Sequence, residues 1–168
     1  MGKAALRLED AGALLRIARD HRHIDRNSEH LSPGFITLGD LRGEQISGNS
    51  DKRRSVSVFM LCNQSLEDIV KIARDLSKEE PFREKPQGAA CRSDRIRQVR
   101  YQDAPVFEIF EEPSTTGHPG HVGIRFHEQI CRAAKELQRK YRDILIEMFG
   151  KVRPVVELYN SHCDSAPP

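Results

Sequence analysis

A strand-like segment followed by an amphipathic helix pattern sets the strongest limit on the fold. Ser55–Leu61 is rich in apolar and β-branched residues, and its second half is apolar on both faces, which indicates burial between two layers. Ser65 then stands where a helix N-cap is expected. The apolar residues behind it recur at helical spacing: Leu66, Ile69, Val70, Ala73 and Leu76. A strand joined directly to a helix indicates a fold in which helices pack on a sheet.

Two further segments extend the predicted sheet. Val106–Phe110 is a short apolar run, and His121–Phe126 alternates apolar and other residues, as a half-buried strand does. The predicted fold class is therefore α+β, a small mixed sheet with helices on at least one face, in a single domain over residues 1–168. Strand and helix alternate at first, which allows a β-α-β unit.

The predicted organisation has five consecutive parts. They are an N-terminal helix in 1–25, an irregular region in 26–54, a sheet–helix core in 55–126, a long helix in 127–150 and a tail in 151–168. The first helix is placed at Ala4–Asp20, because its apolar residues form one stripe at helical spacing. Phe35–Leu38 and Pro154–Tyr159 could each add a short strand.

The longest helix pattern predicts a protein-binding surface. Within His127–Phe149, apolar residues recur at alternating spacings of four and three, which is the repeat of a coiled-coil seam. A stripe this narrow suits a helical partner better than a flat sheet. Self-association or docking of a partner protein is therefore expected through four residues of this seam: Leu137, Tyr141, Ile144 and Met148.

A second candidate surface is basic. Four arginines lie close together on one predicted helix: Arg92, Arg95, Arg97 and Arg100. Such a face would suit the phosphate backbone of a nucleic acid. The alternative is neutralisation by the glutamates that follow: Glu108, Glu111 and Glu112. Because the net charge of the chain is only +2, a nucleic-acid function would depend on this local patch.

The histidines define a candidate catalytic site. A neutral imidazole can transfer protons or contact a phosphate near pH 7. If His21 and His23 converge with His121, with arginines nearby, the chain would be a small enzyme acting on a nucleotide or nucleic-acid phosphate. If they lie apart, a non-enzymatic binding function is expected.

No metal and no other cofactor is expected. His118 and His121 lack a second ligand pair at a spacing typical of zinc, although His127 or Cys131 could be added. The four cysteines form no Cys-x-x-Cys pair, so reduced thiols are expected, with Cys62 and Cys91 as buried and inert groups.

A cytoplasmic location without membrane contact is expected. Glu9 and Asp10 stand where a secretion signal would need apolar residues, and no run approaches the ~20 apolar residues of a membrane span.

Several short motifs occur in an order that resembles a group of small uncharacterised bacterial proteins. The motifs lie within about residues 20–125: His21–Ile24, Leu31–Phe35, Ser55–Val58, Gly88–Ala90, Phe107–Pro113 and His118–Val122. The resemblance implies a bacterial cytosolic setting and no particular activity. The leading prediction is a non-enzymatic binding or accessory protein that acts through its C-terminal helix or its sheet–helix surface.

Overall fold

The computed structural model describes residues 12–46, 49–112 and 117–163. The strands are β1 (Ala13–Ala18), β2 (Gln45–Ile46), β3 (Asn49–Arg53), β4 (Val56–Met60), β5 (Gln87–Arg92), β6 (Arg100–Tyr101), β7 (Ala104–Pro105), β8 (Phe107–Glu111), β9 (His121–Phe126) and β10 (Arg153–Pro154). The helices are α1 (Leu38–Arg42), α2 (Leu66–Leu76), α3 (Glu80–Glu84), α4 (Ser93–Arg97), α5 (Glu128–Cys131), α6 (Lys135–Phe149) and α7 (Val155–His162), with short 3₁₀ turns at His21–His23 and Pro33–Phe35.

Six of these strands form one antiparallel sheet in the order β10-β5-β1-β4-β9-β8. The predicted α+β class is confirmed, and β4, β8 and β9 lie at the three segments predicted as strands. Both β4 and β5 run antiparallel to β1, so they are parallel to each other with β1 between them. The connection through α2 is thus a β-α-β unit split by one strand.

The prediction of a helix at Ala4–Asp20 is wrong where the structure describes that segment, and residues 1–11 lie outside the described residues. Ala13–Ala18 is instead a central strand, and all six of its residues are buried. Leu14 packs in the core on one face of the sheet, whereas Leu15 and Ile17 pack in the core on the other. Because both faces are covered, the strand is apolar throughout and its sequence resembles that of a buried helix.

Helices cover both faces of the sheet. On the first face, α6 contributes Leu145 and Phe149 to a core that also contains Val58 and Val122. On the second face, α2 and α7 supply Ile69, Ile72 and Leu158, among other residues, to a smaller core. Ser65 caps α2 as predicted, because its Oγ accepts a hydrogen bond from the Asp68 backbone N–H at 3.1 Å.

The long helix predicted over His127–Phe149 is interrupted. α5 ends at Cys131 and α6 begins at Lys135. The buried side chain of Gln138 explains the interruption, since its amide Nε2 donates to the carbonyl oxygens of Ile130 and Cys131 at 2.9 and 3.0 Å. These carbonyls are therefore satisfied without a continuing helix.

Two short strands predicted from sequence are also wrong. Phe35 ends a 3₁₀ turn, and Thr37 caps α1 by accepting from the Asp40 backbone N–H at 3.0 Å. The region 26–54, predicted to be irregular, thus contains α1, β2 and β3. In the C-terminal segment, β10 ends at Pro154 and is followed at once by α7.

Cys62 and Cys163 form a disulfide that joins positions 101 residues apart. This corrects the expectation that all four cysteines are free thiols. The bond fastens the end of α7 to the loop after β4, and the Tyr159 hydroxyl strengthens the connection by donating to the Gln64 carbonyl oxygen at 3.2 Å. Cys91 is a buried free thiol, and burial raises its pKa to about 11, as expected of an inert group.

Candidate functional site

The structure does not bring the three candidate catalytic histidines together. His121 begins β9 and pairs with Phe59, near the end of β4. His21 and His23 follow the end of β1, which lies beside the start of β4 because the two strands are antiparallel. His121 and the other two histidines therefore lie toward opposite ends of the sheet.

His121 has a fixed orientation. Its Nδ1 lies 2.8 Å from the carbonyl oxygen of Glu112, so Nδ1 carries the proton that this bond requires. The ring lies 5.2 Å from the ring of Phe59, centroid to centroid, and the ring of His118 lies 6.3 Å from the same phenyl group. These contacts hold His121 against the second face of the sheet.

His21 belongs to a cluster of ion pairs on the surface. Among the described residues, one group of three potential metal ligands lies together, with its ligand atoms within 4.8 Å of one another: Asp20, His21 and Glu79. Both carboxylate oxygens of Asp20 already accept from the Arg22 guanidinium, at 3.3 and 3.1 Å. These bonds lower the pKa of Asp20 to about 2. A metal ion at this position would have to displace Arg22.

His23 lies in a stack of three planar groups. Its ring lies parallel to that of Phe35, with the centroids 3.6 Å apart. The Arg16 guanidinium carbon lies 3.7 Å from the Phe35 centroid. Because His23 covers one face of the phenyl ring, Arg16 must lie on the other. Burial lowers the pKa of His23 to about 4, so its imidazole is neutral at pH 7.

The basic patch of α4 is only partly neutralised. Arg92 pairs with Asp94 at 3.2 Å. Arg97 and Arg100 contact only uncharged oxygens, those of the Ser93 hydroxyl and the Asp103 carbonyl. Neither these two nor the exposed Arg95 pairs with a carboxylate in the part of the chain that the structure describes. The expected neutralisation by Glu108, Glu111 and Glu112 is therefore not seen there.

The predicted partner-binding seam faces the protein's own core. Tyr141 is buried, and Leu137, Ile144 and Met148 are partly buried and pack against the first core. Their spacing reflects packing on the sheet and on α4, so it no longer argues by itself for a partner. A binding function of α6 would need a different side of the helix.

One edge of α6 does line an open cleft of about 380 Å³, opposite the loop 25–33. Pro33 supplies exposed apolar surface above the buried Leu31 and Ile146, and His30 and Ser28 lie among the lining residues. The charged residues in the lining are three acids and one base: Asp25, Asp143, Glu147 and Arg142. Because the carboxylates outnumber the guanidinium, the cleft carries an excess of negative charge.

The acidic groups of the cleft differ in the hydrogen bonds and ion pairs that they already form. Asp25 accepts from the backbone N–H groups of Ser28 and Asn27, and these bonds lower its pKa, so the group stays ionised. Asp143 pairs with Arg142 at 3.1 Å. Glu147 is exposed and forms no ion pair with any described residue. An incoming cation would therefore find Asp25 and Glu147 available.

Sequence reasoning missed Arg16, Phe35 and the cleft. Arg16 lies in the segment predicted as the first helix, which is a strand in the structure. Asp25 and Glu147 are far apart in sequence and meet only through the fold, so no local motif could have indicated the cleft.

Comparison with protein-family models, curated proteins and solved structures found no match for this chain. The resemblance to a bacterial group therefore stays a prediction. Within the described residues, no helix is both long enough and apolar enough to cross a membrane.

Proposed function

We propose that the chain is a non-enzymatic binding protein that recognises a partner protein through its C-terminal helix α6. The observation that carries this proposal is the cleft between α6 and the loop 25–33. Its volume lies within the range of ordinary binding sites. The site uses the edge of the helix formed by Arg142, Asp143, Ile146 and Glu147, rather than the seam that packs on the sheet.

The partner segment that suits the cleft is basic with an apolar neighbour. Asp25 and Glu147 would contact a lysine or arginine side chain, and the exposed Pro33 would cover its aliphatic stem. Charge complementarity of this kind mainly raises association rate and specificity.

Photo-crosslinking tests this proposal. A photoreactive residue in place of Ser28, at the cleft, should join the chain to one partner protein in its source cells. The matched control carries the same group in place of Lys71, an exposed position on α2, which packs on the opposite face of the sheet. Equal products from both positions, or none from Ser28, would contradict the proposal.

A histidine-dependent enzyme is the weaker candidate. Its motivation was convergence of His21 and His23 with His121, and the opposite placement of these residues removes that support.

Nucleic-acid binding by α4 and the hairpin after it is a second candidate, supported by the lack of carboxylate partners for Arg95, Arg97 and Arg100 among the described residues. Each neutralised phosphate releases counterions, so affinity should fall steeply with salt. Binding of this kind should be lost on changing Arg95 and Arg97 to Ala. Salt-independent binding, or unchanged binding by the double variant, would exclude this function for the patch.

A bacterial cytosolic setting is part of the same proposal, and the Cys62–Cys163 bond offers a way to test it. The cytosol keeps most protein thiols reduced, whereas secreted proteins retain disulfides. Free thiols at both positions in alkylated intact cells would support the cytosolic setting, and a persistent bond would contradict it.

A further inference from the structure

Arg16 is a buried cation that forms no ion pair with any described residue. Its side chain is only 7% exposed, in the middle of the central strand β1. Its two terminal nitrogens donate to backbone carbonyl oxygens, Nη1 to Ser57 at 2.7 Å and Nη2 to Phe35 at 2.8 Å. Its Nε is buried and has no hydrogen-bond partner. A guanidinium in this state has, among the described residues, no carboxylate bound to it and no hydrogen-bond acceptor for its Nε–H group.

Such an arrangement opposes folding. Moving a charge out of water costs several kcal/mol, and a nearby opposite charge is the usual compensation. Here burial and the neighbouring charge of Arg19 lower the pKa of Arg16 to about 9, so the protonated form is disfavoured. A buried polar atom without a partner calls for a specific explanation, such as an ion that the site binds.

The charged groups around Arg16 compensate its charge only in part, since Asp40 raises the pKa of Arg16 by less than burial and Arg19 lower it. Asp40 binds Arg54 at 2.9 Å, and Asp20 binds Arg22. Arg19 is half-buried, and its side chain forms no ion pair with any described residue. The surroundings of Arg16 therefore keep an unbalanced positive charge, beside the Phe35 ring that separates the guanidinium from His23.

We infer that Arg16 binds the phosphate group of a ligand, which reaches it when the half-buried ring of Phe35 turns aside. The planar guanidinium matches phosphate oxygens, and the open Nε–H gains an acceptor. The rings of Phe35 and His23 provide flat surfaces on which an aromatic part of the ligand could stack. This site is distinct from the cleft on α6 and does not depend on the function proposed for it.

The first test uses the wild-type chain with inorganic phosphate, compared with chloride at equal ionic strength. At a phosphate concentration about 100 times Kd, Tm should rise by about 5–10 °C, and the NMR signals of the His23 ring should shift saturably. The same measurements with adenosine 5′-monophosphate and with adenosine show whether the bound phosphate belongs to a nucleotide or is free phosphate. A larger effect of the nucleotide than of phosphate indicates a nucleotide ligand, and equal effects indicate free phosphate. No phosphate-specific change in the wild type would overturn the site.

The second test changes Arg16 to Met, which keeps most of the side-chain volume and removes the charge. The variant should melt above the wild type without ligand, because a buried unpaired cation is gone, and it should show no phosphate-specific rise in Tm. Arg19→Met is the control for the loss of a neighbouring charge, and the Tm of this variant should still rise with phosphate. An Arg16→Met chain that melts below the wild type would assign the guanidinium a structural role and overturn the inference.

Discussion

Changing Val106 to Asp should leave the chain unfolded at 25 °C. Val106 is fully buried just before β8, and its side chain packs in the first core. Its backbone is held by hydrogen bonds with Val99 and His127, so the new carboxylate would be buried among the apolar groups of that core. The expected loss exceeds about 4 kcal/mol, which is most of the stability of an ordinary domain. Circular dichroism in the far ultraviolet would detect the loss of structure.

Val156→Asp is the matched control for this substitution. Val156 lies on α7 and is 43% exposed, so the same chemical change should alter the free energy of unfolding by less than about 1 kcal/mol. A Val106→Asp variant that melts like Val156→Asp would show that Val106 does not belong to the core.

Loss of the Cys62–Cys163 disulfide should lower the free energy of unfolding by about 3–5 kcal/mol. The bond closes a loop of about 100 residues, and a crosslink of this length strongly restricts the unfolded chain. Denaturant titration of Cys163→Ala would measure the loss. Reducing agent should lower the stability of the wild type by a similar amount and leave the variant unchanged.

Cys131→Ala is the control for removing a thiol as such. Cys131 is a partly buried free cysteine, so its truncation should cost about 1 kcal/mol or less. Equal stability of the wild type and Cys163→Ala, with no effect of reducing agent on either, would contradict the assignment of the disulfide.

Local patterns predicted the elements whose residue types and spacing match one kind of element. The capped helix α2 has helical spacing and β9 alternates, and β4 was recognisable from its β-branched residues although both of its faces are buried. The central strand β1 was mistaken for a helix because both of its faces are buried. Short, continuously apolar segments carry no period that separates the two structures.

The break between α5 and α6 depends on tertiary contacts. Gln138 looked like an ordinary polar residue of a helix, and only the fold places its amide against the carbonyls at the end of α5. The disulfide also depends on the tertiary fold, since four cysteines can form two bonds in three ways and their spacing does not choose among them.

Among the candidate sites, too, those made of neighbouring residues could be predicted from sequence, and those made of distant residues could not. The basic patch is contiguous in sequence, but the prediction of four arginines on one helix is wrong in part: Arg95 and Arg97 lie on α4, whereas Arg92 ends β5 and Arg100 begins β6. Convergence of distant histidines could not be judged without the strand order. The stack of Arg16 and Phe35 could not be predicted from a local sequence motif. The same holds for the position of Asp25 across the cleft from α6.

The most direct test of the central claim uses the partner protein crosslinked by the photoreactive residue at position 28. Its affinity is measured for the wild type and for two charge-reversal variants. Glu147→Lys reverses a charge in the cleft, and Glu136→Lys makes the same change about 16 Å away along α6. We expect Glu147→Lys to weaken binding at least about tenfold, equivalent to about 1.4 kcal/mol, and Glu136→Lys to bind like the wild type. Equal affinities for all three forms would contradict recognition through the cleft.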